Sequence, residues 1–585
     1  MPTATYAPIT KRQQYEITWA ALDTEYGFFR AHHSDIADHL IPRRPRFFVS
    51  DNNRGDRRST KIIDSTGTMA LDTFASGMLL GTVSPSSPWV RLTLSDPLLA
   101  EDYAGKAYMD DLTDRFLEVC AKSNIYDSFL SMFKDGGAFG TSPIILEEDF
   151  RRVFNATTLP VGSYRVGLGQ QDQVEVLARE FRMTVRQLVG TFGLQDDDEE
   201  INWSHFSPEV KSYWDRGHKE IWVDVRHIIQ PNEDYDPSLS QSRYKKYVSC
   251  YYERGSSSGD RQSYRSNTVL SEKGYDDFPV LVFRFDRGVG DAYATDCPGM
   301  TALGDLKALQ HLHKRHAMAI DKMVNPPMKA VAGAESKRWS TLPGDTLYID
   351  PMTQGAWGAE PVFQIQPNTN DLKEMIRDHQ FRINQAFFVP GFLSLMSSAN
   401  ERDREKTARE IDEMAREKFM RTGGLAERMK HDVLSKAVNV ILGFMENQGL
   451  IDDPPEHLAG ADMKVEFISP MMQSQKLVGL ASTERLIGFV AQIAESSVKN
   501  PDAWKKVDID NAIDAYANGA GAPAKIMRTD EQVAAMREAE AKIRAAQAQA
   551  EMLAQGAKAA RDLGQTKMGQ DSALDRVAEG MAGAA

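Results

Sequence analysis

The sequence predicts an α+β protein, mainly helical, on three observations. A series of helical periods separated by proline breaks runs from Met300 to Gln448, the N-terminal part also repeats its apolar residues at helical spacing, and a β-rich middle lies between them. At 585 residues the chain exceeds what one core usually supports, so two or more subdomains are expected. A hydrophobic share of 42% and a charged share of 26% are ordinary for a globular chain.

In the N-terminal part, Arg12 to His39 carries Tyr15, Trp19, Leu22, Tyr26, Phe29, Ile36 and, just beyond, Leu40 at helical spacing, and Pro42 and Pro45 close the element. An arginine-rich polar link, Arg43 to Arg58, leads to a second striped helix carrying Ile62, Ile63, Leu71, Phe74, Met78 and Leu79. Pro85 and Pro88 then deliver the chain to Trp89-Val90-Arg91-Leu92-Thr93-Leu94, whose alternation predicts a strand. Lys106 to Phe133 reads as one or two helices, followed by Gly136-Gly137-Ala138-Phe139-Gly140 and the strand-like Pro143-Ile144-Ile145-Leu146.

From about Val153 to Phe285 β-branched and aromatic residues become frequent and turn residues recur at short intervals. The strands predicted there are Val174 to Arg182, Ile221 to Ile229, Tyr244 to Glu253 and Val280 to Phe285, with a short helix at Thr184 to Phe192.

Met300 to Val324 places Leu303, Leu306, Leu309, Leu312, Ile320 and Met323 on one stripe, a helix of roughly 37 Å at ~1.5 Å per residue. Asn325-Pro326-Pro327 stops it, because proline lacks the amide hydrogen and disfavours helical geometry in the residue before it. A mixed segment to Gln366 precedes a second helix, Asp371 to Val389, which Pro390-Gly391 ends. Thr407-Ala408-Arg409-Glu410 is a capping box that opens a long amphipathic helix with Ile411, Met414, Ala415 and Phe419 on one face. Pro390 to Lys406 is then a loop, although Ser398 with Glu401 is a competing cap that shortens it. That loop is either a solvated charged connection or one that meets a polyanion. Val465 to Ile468 is a strand candidate, and Gln473 to Ala494 returns to helix. From Asp530 to about Gln555 the Ala, Gln, Glu and Met content favours helix, and fraying is expected beyond Gly564.

The balance of 69 basic and 83 acidic residues, net −14, argues against a strongly basic nucleic-acid clamp but suits a wall past which nucleic acid slides. Cys120, Cys250 and Cys297 stand apart, so neither a disulfide framework nor a zinc site is signalled and a reducing compartment fits. No basic-then-apolar leader follows Met1 and no apolar run approaches ~18 residues, so no membrane span is expected. No Gly-Lys-Ser/Thr loop serves a nucleotide motor, and Gly288-Val289-Gly290 reads as a turn. His32, Asp35 and His39 share a helix face, as do His313 and His316 near His311, and a solvated or interfacial face explains each better than metal ligation. No serine elbow or His-Glu-x-x-His helix is present, and no cofactor is expected.

Taken in order, several segments resemble the head-to-tail connecting, or portal, proteins of short-tailed phages over about Tyr15 to Glu538. They are Met69 to Leu92 with Pro88-Trp89-Val90-Arg91-Leu92; Gly136 to Gly140; Arg179 to Leu188; Phe278-Pro279-Val280; Pro298 to Lys307; and Thr407 to Ile411. The resemblance implies a portal-type fold: a wing (1–299), stem helix 1 (300–324), a small α/β clip (325–366), stem helix 2 (367–389), a channel loop (390–406), a long wing helix and connection (407–472), a helical crown (473–528), a C-terminal barrel helix (529–563) and a flexible tail (564–585). It implies a non-enzymatic ring of about twelve subunits at one capsid vertex. Asn400, Glu401, Arg402, Arg404 and Lys406 would meet passing double-stranded DNA, and Asn325, Pro326, Pro327, Lys329 and Trp339 would meet a partner at the clip. The implied partners are further copies of the chain, terminase, major capsid and scaffolding proteins, and tail adaptor or nozzle proteins. The implied location is the virion, after assembly in the host cytoplasm. The competing readings are a cytosolic helical interaction scaffold and a metal-dependent nuclease.

Overall fold

The computed structural model describes residues 10–51, 55–96, 103–193, 201–239, 241–254, 269–324, 328–329, 360–361, 369–398, 423–455, 458, 460–469 and 530–565. It is a mixed helix-and-sheet fold. Helix α1 (Lys11–His39) opens with a capping box in which Thr10 and Gln13 satisfy each other's free amides. Helices α2 (Thr66–Thr82), α3 (Tyr103–Lys122) and α4 (Ile125–Phe139) follow. Short helices α5 (Val185–Phe192) and α6 (Pro208–Asp215) interrupt the sheet region. Then come α7 (Pro298–Thr301), α8 (Leu303–Val324), α9 (Thr369–Ala386) and α10 (Val389–Ser398). Helix α11 (Gly423–Met429) passes through a π-turn, Lys430–Leu434, into α12 (Ser435–Asn447), and α13 spans Asp530–Gln565.

Strands β4 (Tyr164–Leu168), β5 (Val174–Thr184), β6 (Trp222–Pro231), β7 (Tyr247–Glu253) and β8 (Ser271–Tyr275) form one antiparallel sheet in sequence order. Strand β2 (Thr141–Asp149) lies between β3 (Val153–Thr158) and β9 (Val280–Arg284), with Ile144 opposite Thr158 and Leu281. Its first six residues are all buried, which is why Pro143 to Leu146 reads as a continuous apolar run without alternation. Strand β1 (Val90–Leu94) pairs with β12 (Met463–Phe467), Val90 facing Phe467 and Leu94 facing Met463. Trp89 stacks on Phe467 at 6.4 Å between ring centres.

Helix α1 serves two cores. Tyr15, Trp19 and Leu22 pack on Ala178, Ile228, Cys250 and Tyr252 of the five-stranded sheet, while Tyr26, Ile36 and Ala37 enter the main core with α2, α4 and β2. In α4 the paired glycines permit close approach: a methyl at Gly136 would overlap Phe283, and one at Gly137 would overlap Phe74. Gly140 then ends the helix at φ +81°, a left-handed conformation that favours glycine.

The structure moves several predicted boundaries. Helix α2 starts at Thr66, leaving Ile62 and Ile63 outside it, because the Gln310 side-chain oxygen accepts the amides of Ile63 and Asp64 at 2.6 and 2.8 Å. Strands β3, β4 and β8 and helix α6 went unread, being short or interleaved with polar and turn residues. The predicted loop from Pro390 to Lys406 is helical over Val389–Ser398. The chain breaks at Phe388, φ +56°, and resumes as helix with Pro390 in the first turn, where its missing amide hydrogen is no loss. Phe392 holds this helix against α2: it sits edge-on to Phe74 at 5.8 Å and occupies the space where a Gly77 side chain would lie. The capping box at Thr407, the helix from Gln473 to Ala494 and the tail beyond residue 565 lie outside the described residues.

Asp135 in α4 is wholly buried and pairs with Arg44 of the arginine-rich link, whose guanidinium also donates to the Ser131 carbonyl at 3.0 Å. Burial raises the Asp135 carboxyl to about 6 even though Arg44 pulls it down. A folded value above the ordinary 3.8 means the protonated form is favoured by folding. Stability from this group is therefore complete at low pH and is lost as pH rises through about 6, by about 3 kcal/mol. Asp135→Asn is expected to remove that component, so its denaturation midpoint relative to wild type should rise from pH 4 to pH 7. Parallel pH profiles for the two proteins would contradict this.

Candidate functional site: the stem and its seat

Helices α8 and α9 pack against each other and against α2, and the polypeptide between them leaves and returns as a short ladder: Lys329 faces Glu360 and Met328 faces Pro361. Their roots are buried through Leu303, Leu306 and Leu309 on α8 and Ile376 and Ile383 on α9. The seat centres on Asp64. Its Oδ1 accepts the Thr66 amide at 2.7 Å, at the start of α2, while Oδ2 accepts Gln380 Nε2 at 3.0 Å and lies 2.9 Å from His313 Nε2. Gln310 completes the join by donating to the Asp64 carbonyl at 3.0 Å. One carboxylate thus ties α2, α8 and α9 together. Burial raises the Asp64 carboxyl, and the Thr66, Gln380 and His313 interactions overcome it, so the net displacement is downward.

Further pairs brace the stem root. His379 Nδ1 donates to Asp305 at 2.8 Å across the helix pair, and Lys307 pairs with Asp35 of α1. The Lys307 hydrogen bond is the largest influence holding the Asp35 carboxyl below its ordinary value. His39 Nδ1 donates to the Asp35 carbonyl at 2.9 Å. Of the His32, Asp35, His39 face, Asp35 is the residue that reaches α8, and among the described residues no group of three His, Cys, Asp or Glu is placed to hold a metal ion.

Beyond the root the stem changes character. From His311 to Val324 no residue of α8 is buried, yet Met318, Ile320, Met323 and Val324 are large, apolar and exposed, as are Met375 and Phe381 on α9. The predicted stripe is therefore covered by this subunit at Leu303, Leu306 and Leu309 and uncovered at Ile320 and Met323. The periodicity of the sequence located the helix, but the three partners of Asp64, 246 or more residues away for Gln310 and Gln380, left no local signal.

Of the clip candidates, Lys329 lies in the two-residue strand β10 (Met328–Lys329), paired with β11 (Glu360–Pro361), while Asn325, Pro326, Pro327 and Trp339 lie outside the described residues. Asn400, Glu401, Arg402, Arg404 and Lys406 also lie outside them.

A concavity of about 740 Å³ lies elsewhere, between the two larger sheets and α12. Its polar wall is an internally satisfied network. Arg179 donates to His227 Nδ1 at 3.0 Å, to Glu147 at 3.0 Å and to the Tyr251 hydroxyl at 3.1 Å, and His227 stacks on Tyr251 with ring centres 3.8 Å apart. Burial, then the Arg179 charge, holds His227 neutral, so Nε2 donates to Ser249 at 2.7 Å. The network fixes β5, β6 and β7 to β2.

A two-helix projection is seated on an α+β body, and comparison with known proteins shows the family. The family model for the bacteriophage head to tail connecting protein matches residues 12–527, so the chain belongs to the head-to-tail connecting, or portal, protein family of tailed phages. Two relatives match nearly end to end. The portal protein of Salmonella phage epsilon15 is 38% identical over 572 residues, 97% of this chain and 98% of the relative. The probable portal protein of Bordetella phage BPP-1 is 35% identical over 574 residues, 98% and 99% of the two chains. The function is that of the family, connection of head to tail, and its place is the virion at the head–tail junction. No helix among the described residues is long and apolar enough to cross a membrane.

Asp64→Ala should lower stability by about 2–4 kcal/mol, since it removes the acceptor of the Thr66 amide and leaves Gln380 and His313 without their shared carboxylate, while the Gln310 bonds to the backbone stay. Denaturant titration would measure this. Because the Asp64 carboxyl is depressed, its stabilisation is present above the ordinary 3.8 and fades as pH falls below it, so the difference from wild type should narrow in acid. A variant equal to wild type at pH 7 would show that the seat does not depend on this group.

Proposed function

We propose that the chain assembles into a closed ring of about twelve copies whose centre is a channel for double-stranded DNA. The observation that carries this reading is the stem: two paired helices whose outer parts expose Met318, Ile320, Met323, Val324, Met375 and Phe381, a surface that a neighbouring copy would cover. A ring made by repeating one heterologous contact buries such a surface in every subunit and leaves no free end. Residues 1–299 then form the wing, α8 and α9 the stem, residues 325–366 the clip that meets terminase and later a tail adaptor, residues 390–406 the channel-facing segment, residues 473–528 the crown, and α13 a barrel element. Capsid and scaffolding proteins would surround the ring at one vertex after assembly in the host cytoplasm.

Electrostatics favours passage over retention. A subunit of net −14 gives the ring a negative field that discourages phosphate from adhering. Arg402, Arg404 and Lys406 offer transient phosphate contacts, which Glu401, Asp403 and Glu405 keep weak, with Asn400 beside them. The start of the 390–406 segment is helical, and Phe392 fixes it on α2.

Native mass measurement with particle images of the same sample tests the ring. The expected species is about 785 kDa, assembled from subunits of 65.4 kDa, with a central hole; a compact dimer as the final assembly product, with scaffold supplied, would remove the reading. Reversal of Arg402, Arg404 and Lys406 to glutamate should leave ring formation intact while reducing DNA packaged or retained per particle. Unchanged packaging and retention would detach those three residues from the channel.

A further inference from the structure

The arginine-rich link has a second relationship that the ring does not use. Residues 46–50 of the link, α1 and the five-stranded sheet enclose a concavity of about 320 Å³ lined by six arginines and three carboxylates. Every carboxylate there is shared. Asp23 takes Arg30 at 3.0 Å and Arg165 at 2.7 Å; Glu180 takes Arg254 at 2.7 Å and approaches Arg226 at 3.5 Å; Asp224 takes Arg182 at 2.7 Å and approaches Arg254 at 3.9 Å. Glu16, beside the cavity, pairs with Arg226. Six guanidiniums against four carboxylates leave an excess of two positive charges in a chain of net −14.

Some of these donors are poorly matched. Arg226, with its side chain 9% exposed, is held over the Trp19 ring at 4.6 Å, and its Nε faces Glu180 at 3.5 Å without completing a hydrogen bond. The Nε of Arg30 is likewise buried and unmatched. Arg46 meets only the carbonyls of Arg43, Arg44 and Pro45, all through Nη1, and pairs with no carboxylate among the described residues. Buried donors without acceptors are costly, and the deficit here is of anionic oxygen. Arg165, by contrast, is spent structurally: it binds Asp23 and the Gly162 and Tyr164 carbonyls and lies 4.1 Å from the Tyr26 ring centre.

We propose that this cavity binds a phosphate group. A phosphate carries about two negative charges and three terminal oxygens, matching the excess charge and several guanidinium forks at once, which a single carboxylate does not. The volume admits the phosphate with part of what it is attached to, either a phosphodiester backbone or a second phosphate. Arg226 contacts it from below, Arg254 and Arg182 from the mouth, and Arg46 from the link. Occupation ties the link to the sheet. This site is separate from the proposed channel segment and does not rest on it.

Titration calorimetry and thermal unfolding of the full chain with inorganic phosphate and with pyrophosphate, at constant ionic strength against chloride, test the proposal. Pyrophosphate should raise the unfolding midpoint, and Arg46→Gln should weaken its binding about tenfold, measured against that variant's own midpoint in chloride, which carries the loss of the bonds to the Arg43, Arg44 and Pro45 carbonyls. Arg46→Gln/Arg254→Gln should weaken binding further. A short DNA duplex that displaces pyrophosphate from wild type identifies the phosphodiester as the source; a duplex that does not compete identifies free phosphate or pyrophosphate. Absence of binding beyond the chloride control, or undiminished binding to a folded Arg46→Gln, overturns the site.

Discussion

The structure depends on a carboxylate placed where three helices converge. Asp64 lies two residues before Thr66, the first residue of α2, so its Oδ1 takes that amide as a matter of local geometry, while Oδ2 is left to collect donors from α8 and α9. Short-range and long-range order are thereby settled by one side chain. The apolar contacts below it, Leu306 against α2 at Gly67 and the Ile383 side chain in the main core, supply adhesion but little direction. Hydrogen bonds with fixed partners convert a greasy contact into a fixed angle between stem and body. The projection needs that angle, since from His311 to Val324 no residue of α8 is buried.

Long periodic elements were legible in the sequence for a physical reason: burial of one face imposes a repeat on residue type. Arg12 to His39, Met300 to Val324 and Asp371 to Val389 were found within a few residues of α1, α8 and α9. The strands Val174 to Arg182 and Val280 to Phe285 were readable because both are rich in β-branched or apolar residues. What escaped was set by distant partners. Ile62 and Ile63 look helical, but Gln310 claims the amides that a helix would need to organise there. Pro390-Gly391 looks like an exit from helix, but Phe392 finds a groove at Gly77 and the helix restarts. Tertiary docking outweighed local propensity at both places. The site was legible in part: the stem was visible as two rods, whereas the exposure of its outer apolar residues required the fold.

Charge is sorted within the molecule. Acidity dominates the total, yet arginines gather around α1 and the adjoining sheet, packed on Trp19 and Tyr26 and sharing too few carboxylates. Guanidinium tolerates this crowding because it is weakly hydrated and stacks on aromatic faces, which lysine does less well. Elsewhere Asp432 of the π-turn lies 3.6 Å from buried Arg284, and Arg428 bonds the Phe285 carbonyl at 2.6 Å, so the helix leading out of residue 423 is also fixed to the sheet by cations.

The pairing of β1 with β12 has a mechanical meaning. Residues 90–94 and 463–467 are separated by most of the chain, the two larger sheets and the two-helix projection included, and five residue pairs join the two ends of that span. The chain leaves β1 at Leu94 and enters β12 at Met463, both on the same side of the ladder, so a force that separates those two ends would open it pair by pair like a zip. The Trp89–Phe467 stack stands at the opposite end, where the last pair would part, and Ile468 adds a hydrogen bond to the Trp89 carbonyl at 3.0 Å beyond it. Beyond the Leu94–Met463 pair the Ser95 amide likewise donates to the Asp462 carbonyl at 2.9 Å, so both ends carry a further hydrogen bond and the aromatic stack alone makes the Trp89 end the firmer one.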